Sequence, residues 1–140
     1  MTTHPDATTS EEGFVNAFIL KGRRERLLFE LRKRRGDFLS RFCHSALDYL
    51  IPGCVEAIGS SSGSEHLLKL LKSRGAGKTC YAISMTDGID GKVLPLPEAL
   101  SVAFGLGLPT ILICRPGELA YLETEQIEGP PERFVLCRVL

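Results

Sequence analysis

The sequence predicts an α+β domain. About three N-terminal helices are packed on one side of a mainly antiparallel C-terminal sheet of about four strands, with one helix inserted after the first strand. Two observations carry this. Apolar residues in the first half recur at helical spacing, whereas the second half breaks into short apolar runs between Gly, Pro and Asp-Gly turns. Helices followed by such strands form an α+β architecture. At 140 residues the chain fits one domain, expected over 10–140 behind a mobile tail over 1–9.

Thr9 and Glu12 form a capping box, so a first helix is expected to open near Ser10; the apolar run Phe14 to Leu20 fits a buried helix or a buried strand, and the cap favours the helix. From Arg23 to Leu50, residues such as Leu27, Leu31, Phe38, Phe42 and Ala46 share one stripe. Arg24 and Arg35 would fall on that stripe, which predicts two helices broken at Gly36 and capped by Asp37. Ile51-Pro52-Gly53 ends the second helix, Gly59 to Gly63 reads as a loop, and Ser64 caps a helix over 65–74. Strands are expected at 79–84, 108–114, 119–123 and 133–139. Leu96-Pro97 opens the inserted helix, which runs to about Phe104.

Composition sets the function classes. Formal net charge is zero and 44% of residues are hydrophobic, as in ordinary globular chains. Yet residues 21–41 hold nine bases against three acids, and 118–132 hold five glutamates and no base. A neutral total thus allows a dipolar molecule. The cysteines, Cys43, Cys54, Cys80, Cys114 and Cys137, are odd in number and lack a C-x-x-C pair, which suggests reduced thiols and a cytoplasmic location. No apolar run reaches the ~20 residues of a membrane helix, and no secretory leader is apparent.

Several motifs give way to plainer readings. Arg74-Gly75-Ala76-Gly77-Lys78-Thr79 lacks the first glycine of a phosphate-binding loop, and it lies between a helix and a strand, the reverse of the order that motif needs. Asp87 and Asp90 belong to two Asp-Gly turns without the spacing of a calcium loop. His4, His44 and His66 suggest no ligand set, so no metal and no cofactor are expected.

The basic segment is the strongest anomaly. Arg23, Arg24, Arg26, Arg32, Lys33, Arg34 and Arg35 are candidate contacts for a partner or a nucleic acid, since guanidinium forks suit phosphate and carboxylate alike. Phe29 is the sole aromatic nearby that could stack on a base. The favoured reading is a small non-enzymatic protein-binding or regulatory domain whose acidic stretch, Glu118 to Glu128, could also meet a basic partner. The alternatives are RNA or DNA binding through helix 23–35, and an enzyme whose site lies at the helix–sheet mouth. Tyr81, Asp90, Arg115, Glu118 and Tyr121 are the candidate residues for that pocket or for a hairpin-tip site.

Overall fold

A computed structural model describes residues 7–58, 63–86, 88–104, 108–124 and 132–138. The architecture is α+β. Helices α1 (Ala7–Phe18), α2 (Arg24–Lys33), α3 (Arg35–His44) and the single turn α4 (Ala46–Tyr49) come first. Strand β1 (Val55–Ile58), helix α5 (Ser64–Ser73), β2 (Thr79–Ser84), β3 (Val93–Pro95) and α6 (Leu96–Ala103) follow. The chain then runs through β4 (Thr110–Arg115), β5 (Leu119–Glu123) and β6 (Arg133–Cys137).

The strands form one six-stranded sheet in the order β1-β6-β5-β4-β2-β3, and every neighbouring pair is antiparallel. Two strands beyond the expected four are the edges. β1 is only four residues long and half-buried without alternation, and β3 has three residues and ends at a proline. Short, Pro-bearing edges resist further pairing but leave little trace in a sequence.

The strands alternate their side chains between two cores. Tyr81, Ile83, Ile111, Ile113, Ala120, Leu122, Phe134 and Leu136 face α1 to α4 and meet Phe14, Phe18, Leu31, Phe38 and Phe42. Cys80, Ala82, Leu112, Cys114, Tyr121 and Val135 face the other way, toward Leu67 and Leu71 of α5 and Leu96, Ala99 and Leu100 of α6. Helices therefore cover both faces. The α5 segment, expected beside the other N-terminal helices, lies on the opposite side. Its leucine stripe says that one flank is buried, but not against which face of the sheet.

Helix ends also differ from expectation. α1 starts at Ala7, so residues 7–9 are helical; the rest of the expected tail lies outside the described residues, as do 59–62 of the expected 59–63 loop and Val139 of the last expected strand. The α2–α3 break falls at Arg34, in non-helical backbone (φ −140°, ψ 59°), and Gly36 sits inside the first turn of α3. Gly63 holds the position before α5, and Ser64 is the first helical residue.

Candidate partner-binding groove

The charged helices α2 and α3 lie side by side on the outside of the first core. Leu27 and Leu31 of α2 and Phe38, Leu39 and Phe42 of α3 point inward. The residues between them face solvent and leave an open groove of about 560 Å³, walled by Glu25, Arg26, Phe29, Arg34, Asp37 and Arg41 with Glu30 among its lining. A smaller hollow of about 360 Å³ shares Arg26, Glu30 and Arg41 with it and adds Arg23, Leu27 and Tyr49.

Each basic residue singled out in the sequence has a distinct place. Arg24 is half-buried, and its Nε donates to the Ile19 carbonyl at 2.9 Å. Arg32 donates to Glu12 of α1 at 2.5 Å. Arg35 turns inward, toward Glu11 (2.8 Å), both oxygens of Asp90 (2.9 and 3.0 Å) and the Tyr81 hydroxyl (3.1 Å). These three hold the molecule's own parts together. Arg23 lies over the Tyr49 ring at 5.1 Å, and Arg26 stands 3.5 Å from Glu30. Arg34 and Lys33 are exposed and make no ion pair among the described residues.

Glu30 anchors the groove. It is 3% exposed, pairs with Arg41 and Arg26 through Oε1, and has no hydrogen-bond partner for Oε2 among the described residues. Its i,i+4 spacing from Arg26 was visible in the sequence, but its burial was not.

Phe29 is the groove's apolar element. It is 57% exposed on a helix whose Leu27 and Leu31 are buried. Leu47, on α4, is equally exposed but belongs to a separate hollow of about 200 Å³ beside His44 and Asp48.

The five residues proposed for a pocket or hairpin tip fall into three separate groups. Tyr81 and Asp90 join the Arg35 cluster, where Tyr81 donates to Glu11 at 2.8 Å and Asp90 accepts from the Ser84 N–H at 2.9 Å. Burial works against the Arg35 charge, but its hydrogen bonds to Glu11 and Asp90 outweigh that, and the guanidinium stays protonated well above its ordinary range. Burial, then the bond to Glu11, pushes the Tyr81 hydroxyl up. Arg115 and Glu118 pair with each other at 2.8 Å across the exposed β4–β5 turn. Tyr121 lies on the opposite sheet face and donates to Glu123 at 2.9 Å.

Glu123 is fully buried and meets Arg133 at 3.3 Å, with the Arg133 guanidinium 4.3 Å from the centre of the Phe104 ring. The acidic stretch is therefore not a continuous surface: Glu118 is paired, Glu123 is internal, and Glu125 and Glu128 lie outside the described residues, as does Asp87. Among the described residues no group of three or more His, Cys, Asp or Glu is placed to hold a metal ion, and no helix is long and apolar enough to cross a membrane.

No family model, curated protein or solved structure matches the chain. The groove has to be understood from its own chemistry.

Proposed function

We propose that the chain is a non-enzymatic protein-binding domain that docks its partner in the α2–α3 groove. The observation that carries this is Phe29, more than half exposed between guanidiniums and carboxylates. Aromatic and Arg side chains at the centre of a polar rim are the composition that concentrates binding energy in protein interfaces. The mixture of signs points the same way. Glu25 and Asp37 stand among Arg26, Arg34 and Arg41, and carboxylates there would oppose a phosphate backbone. Arg24, Arg32 and Arg35, half of the basic run's arginines, are committed to the chain's own carbonyl and carboxylates. A cytoplasmic location accords with five cysteines that are all free.

Nucleic-acid binding keeps one favourable observation, the neighbouring exposed cations Lys33 and Arg34, which make no ion pair among the described residues. The two readings separate in one comparison. Wild type and a Phe29→Ala/Arg34→Glu variant are cross-linked at low salt with a known or captured partner. The expected result is links from Lys21 and Lys33, beside the groove, that the variant loses while its melting temperature stays within a degree or two. A folded variant that keeps the same stoichiometric partner moves the surface elsewhere. A gel shift of RNA or DNA at about 50 mM salt that Lys33→Ala/Arg34→Ala abolishes, with no protein partner, replaces this reading by the second.

A further inference from the structure

We propose that Cys80 and Cys114 are an oxidative modification site: a disulfide-forming pair facing each other across β2 and β4. The site is independent of the groove. The β2–β4 register pairs Tyr81 with Ile113, Ala82 with Leu112, Ile83 with Ile111 and Ser84 with Thr110. The paired segment ends at Tyr81 and Ile113, and Cys80 and Cys114 are the next residue on each strand. Both thiols are buried in the second core, so they emerge on the same side of the sheet.

The rung is of the close kind. Ala82 donates its N–H to Lys92 and accepts from the Gly91 N–H, and the Lys78 carbonyl accepts from Leu96, so the even residues of β2 direct their backbone groups away from β4. Met85, an odd residue, donates to Pro109 just before β4. Extended one residue past the paired segment, this alternation gives Cys80 and Cys114 a non-hydrogen-bonded position, at which opposed Cα atoms approach to about 4.5 Å and side chains lie nearest. That falls within the span a disulfide bridges. The same kind of rung at the other end of the ladder brings Ser84 Oγ to 2.8 Å from Thr110 Oγ1. The register of β4 against β5 shifts between Ile113 and Arg115, and Cys114, 3% exposed, lies in the same core as Cys80.

The reaction balances with an exchange oxidant. The two thiols lose two protons and two electrons and form one S–S bond. One glutathione disulfide takes them up and leaves as two glutathione thiols. Burial pushes the Cys80 thiol up to about 12 and the Cys114 thiol higher still, so the folded, reduced protein reacts slowly; the site is reached during folding or on local opening of the α5–α6 cover.

The test uses the full chain, refolded from urea in reduced and oxidised glutathione, alkylated and mapped by peptide mass spectrometry. The expected product links Cys80 to Cys114 in preference to every other pairing of the five cysteines. Its melting temperature rises by roughly 10 °C and returns on reduction. Cys80→Ser and Cys114→Ser each lose both the link and the rise. Refolded protein whose Cys80 and Cys114 stay unlinked, or which links either one to another cysteine, overturns the proposal. The mapping needs no variant to fold.

Discussion

Arg35 carries the heaviest electrostatic duty of any side chain in the helical layer. It sits between two carboxylates and a phenol from three different parts of the chain, with only a quarter of its side chain exposed. Removing a charge from such a cluster leaves its partners uncompensated. Arg35→Ala is expected to cost about 2–3 kcal/mol in urea unfolding. Arg35→Lys should recover little of it, because a compact ammonium cannot span Glu11 and Asp90 as a planar fork does. On the other face, Arg133→Ala would take the cation from the fully buried Glu123, leaving it the Tyr121 hydroxyl, and should cost more, about 3–5 kcal/mol. If Arg133→Ala proves milder than Arg35→Ala by the same measurement, burial does not set the cost of these pairs. Neither cluster was legible beforehand. Arg35 stands out in the sequence because it would spoil an apolar stripe, but Glu11 and Asp90 lie 24 and 55 residues away from it, and no local pattern reports a meeting at that separation.

At the scale of elements, the two halves of the sequence were legible to different depths. Helical stripes predict α2, α3 and α5, the Leu96-Pro97 start predicts α6, and β-rich runs predict the four inner strands, because buried elements leave apolar signals. The edge strands lack that signal, being short and half-exposed. The α2–α3 break was expected at Gly36, but the chain turns at Arg34, where the outcome follows from Arg35 reaching inward. Gly36 therefore has no conformational need to be glycine: it is helical, its φ is negative, and a Cβ there would meet nothing within 4 Å. Gly36→Ala is expected to stabilise the protein by about 0.5 kcal/mol. Gly75 is the opposite case, with φ +105° and a would-be Cβ 2.9 Å from Arg115 Nη1. Gly75→Ala should destabilise by about 1–2 kcal/mol, read from the same denaturation series. Equal signs for the two substitutions would contradict this account of the turns.

Over the whole molecule, burial of proton-bearing groups makes base the vulnerable side. Burial raises the Cys80, Cys114 and Tyr121 values in the folded state, and the Tyr81 hydroxyl moves the same way. The unfolded chain therefore releases these protons first, so stability is whole below about pH 9 and falls as pH rises through the folded values. Urea midpoints should drop steeply between pH 9 and 12, and Cys80→Ala should flatten that limb; a midpoint that is flat across this range in the wild type would disprove the linkage. The same two-core plan explains what the groove can and cannot be. The groove lies on helices braced from beneath by Leu31, Phe38 and Phe42, and the β2–β3 turn reaches it through the Arg35–Asp90 pair next to Arg34.

One pairing bears on how the chain is made. β1 hydrogen-bonds to β6 alone, and the aromatic flank of α1 and α3 rests on strands that come later in the sequence. A ribosome working from the N-terminus delivers Phe14, Phe18, Phe38 and Phe42 long before the surface that will cover them. The nascent chain must hold a greasy, unsupported scaffold in suspense until Arg133–Cys137 has been synthesised and can slot in beside Val55–Ile58.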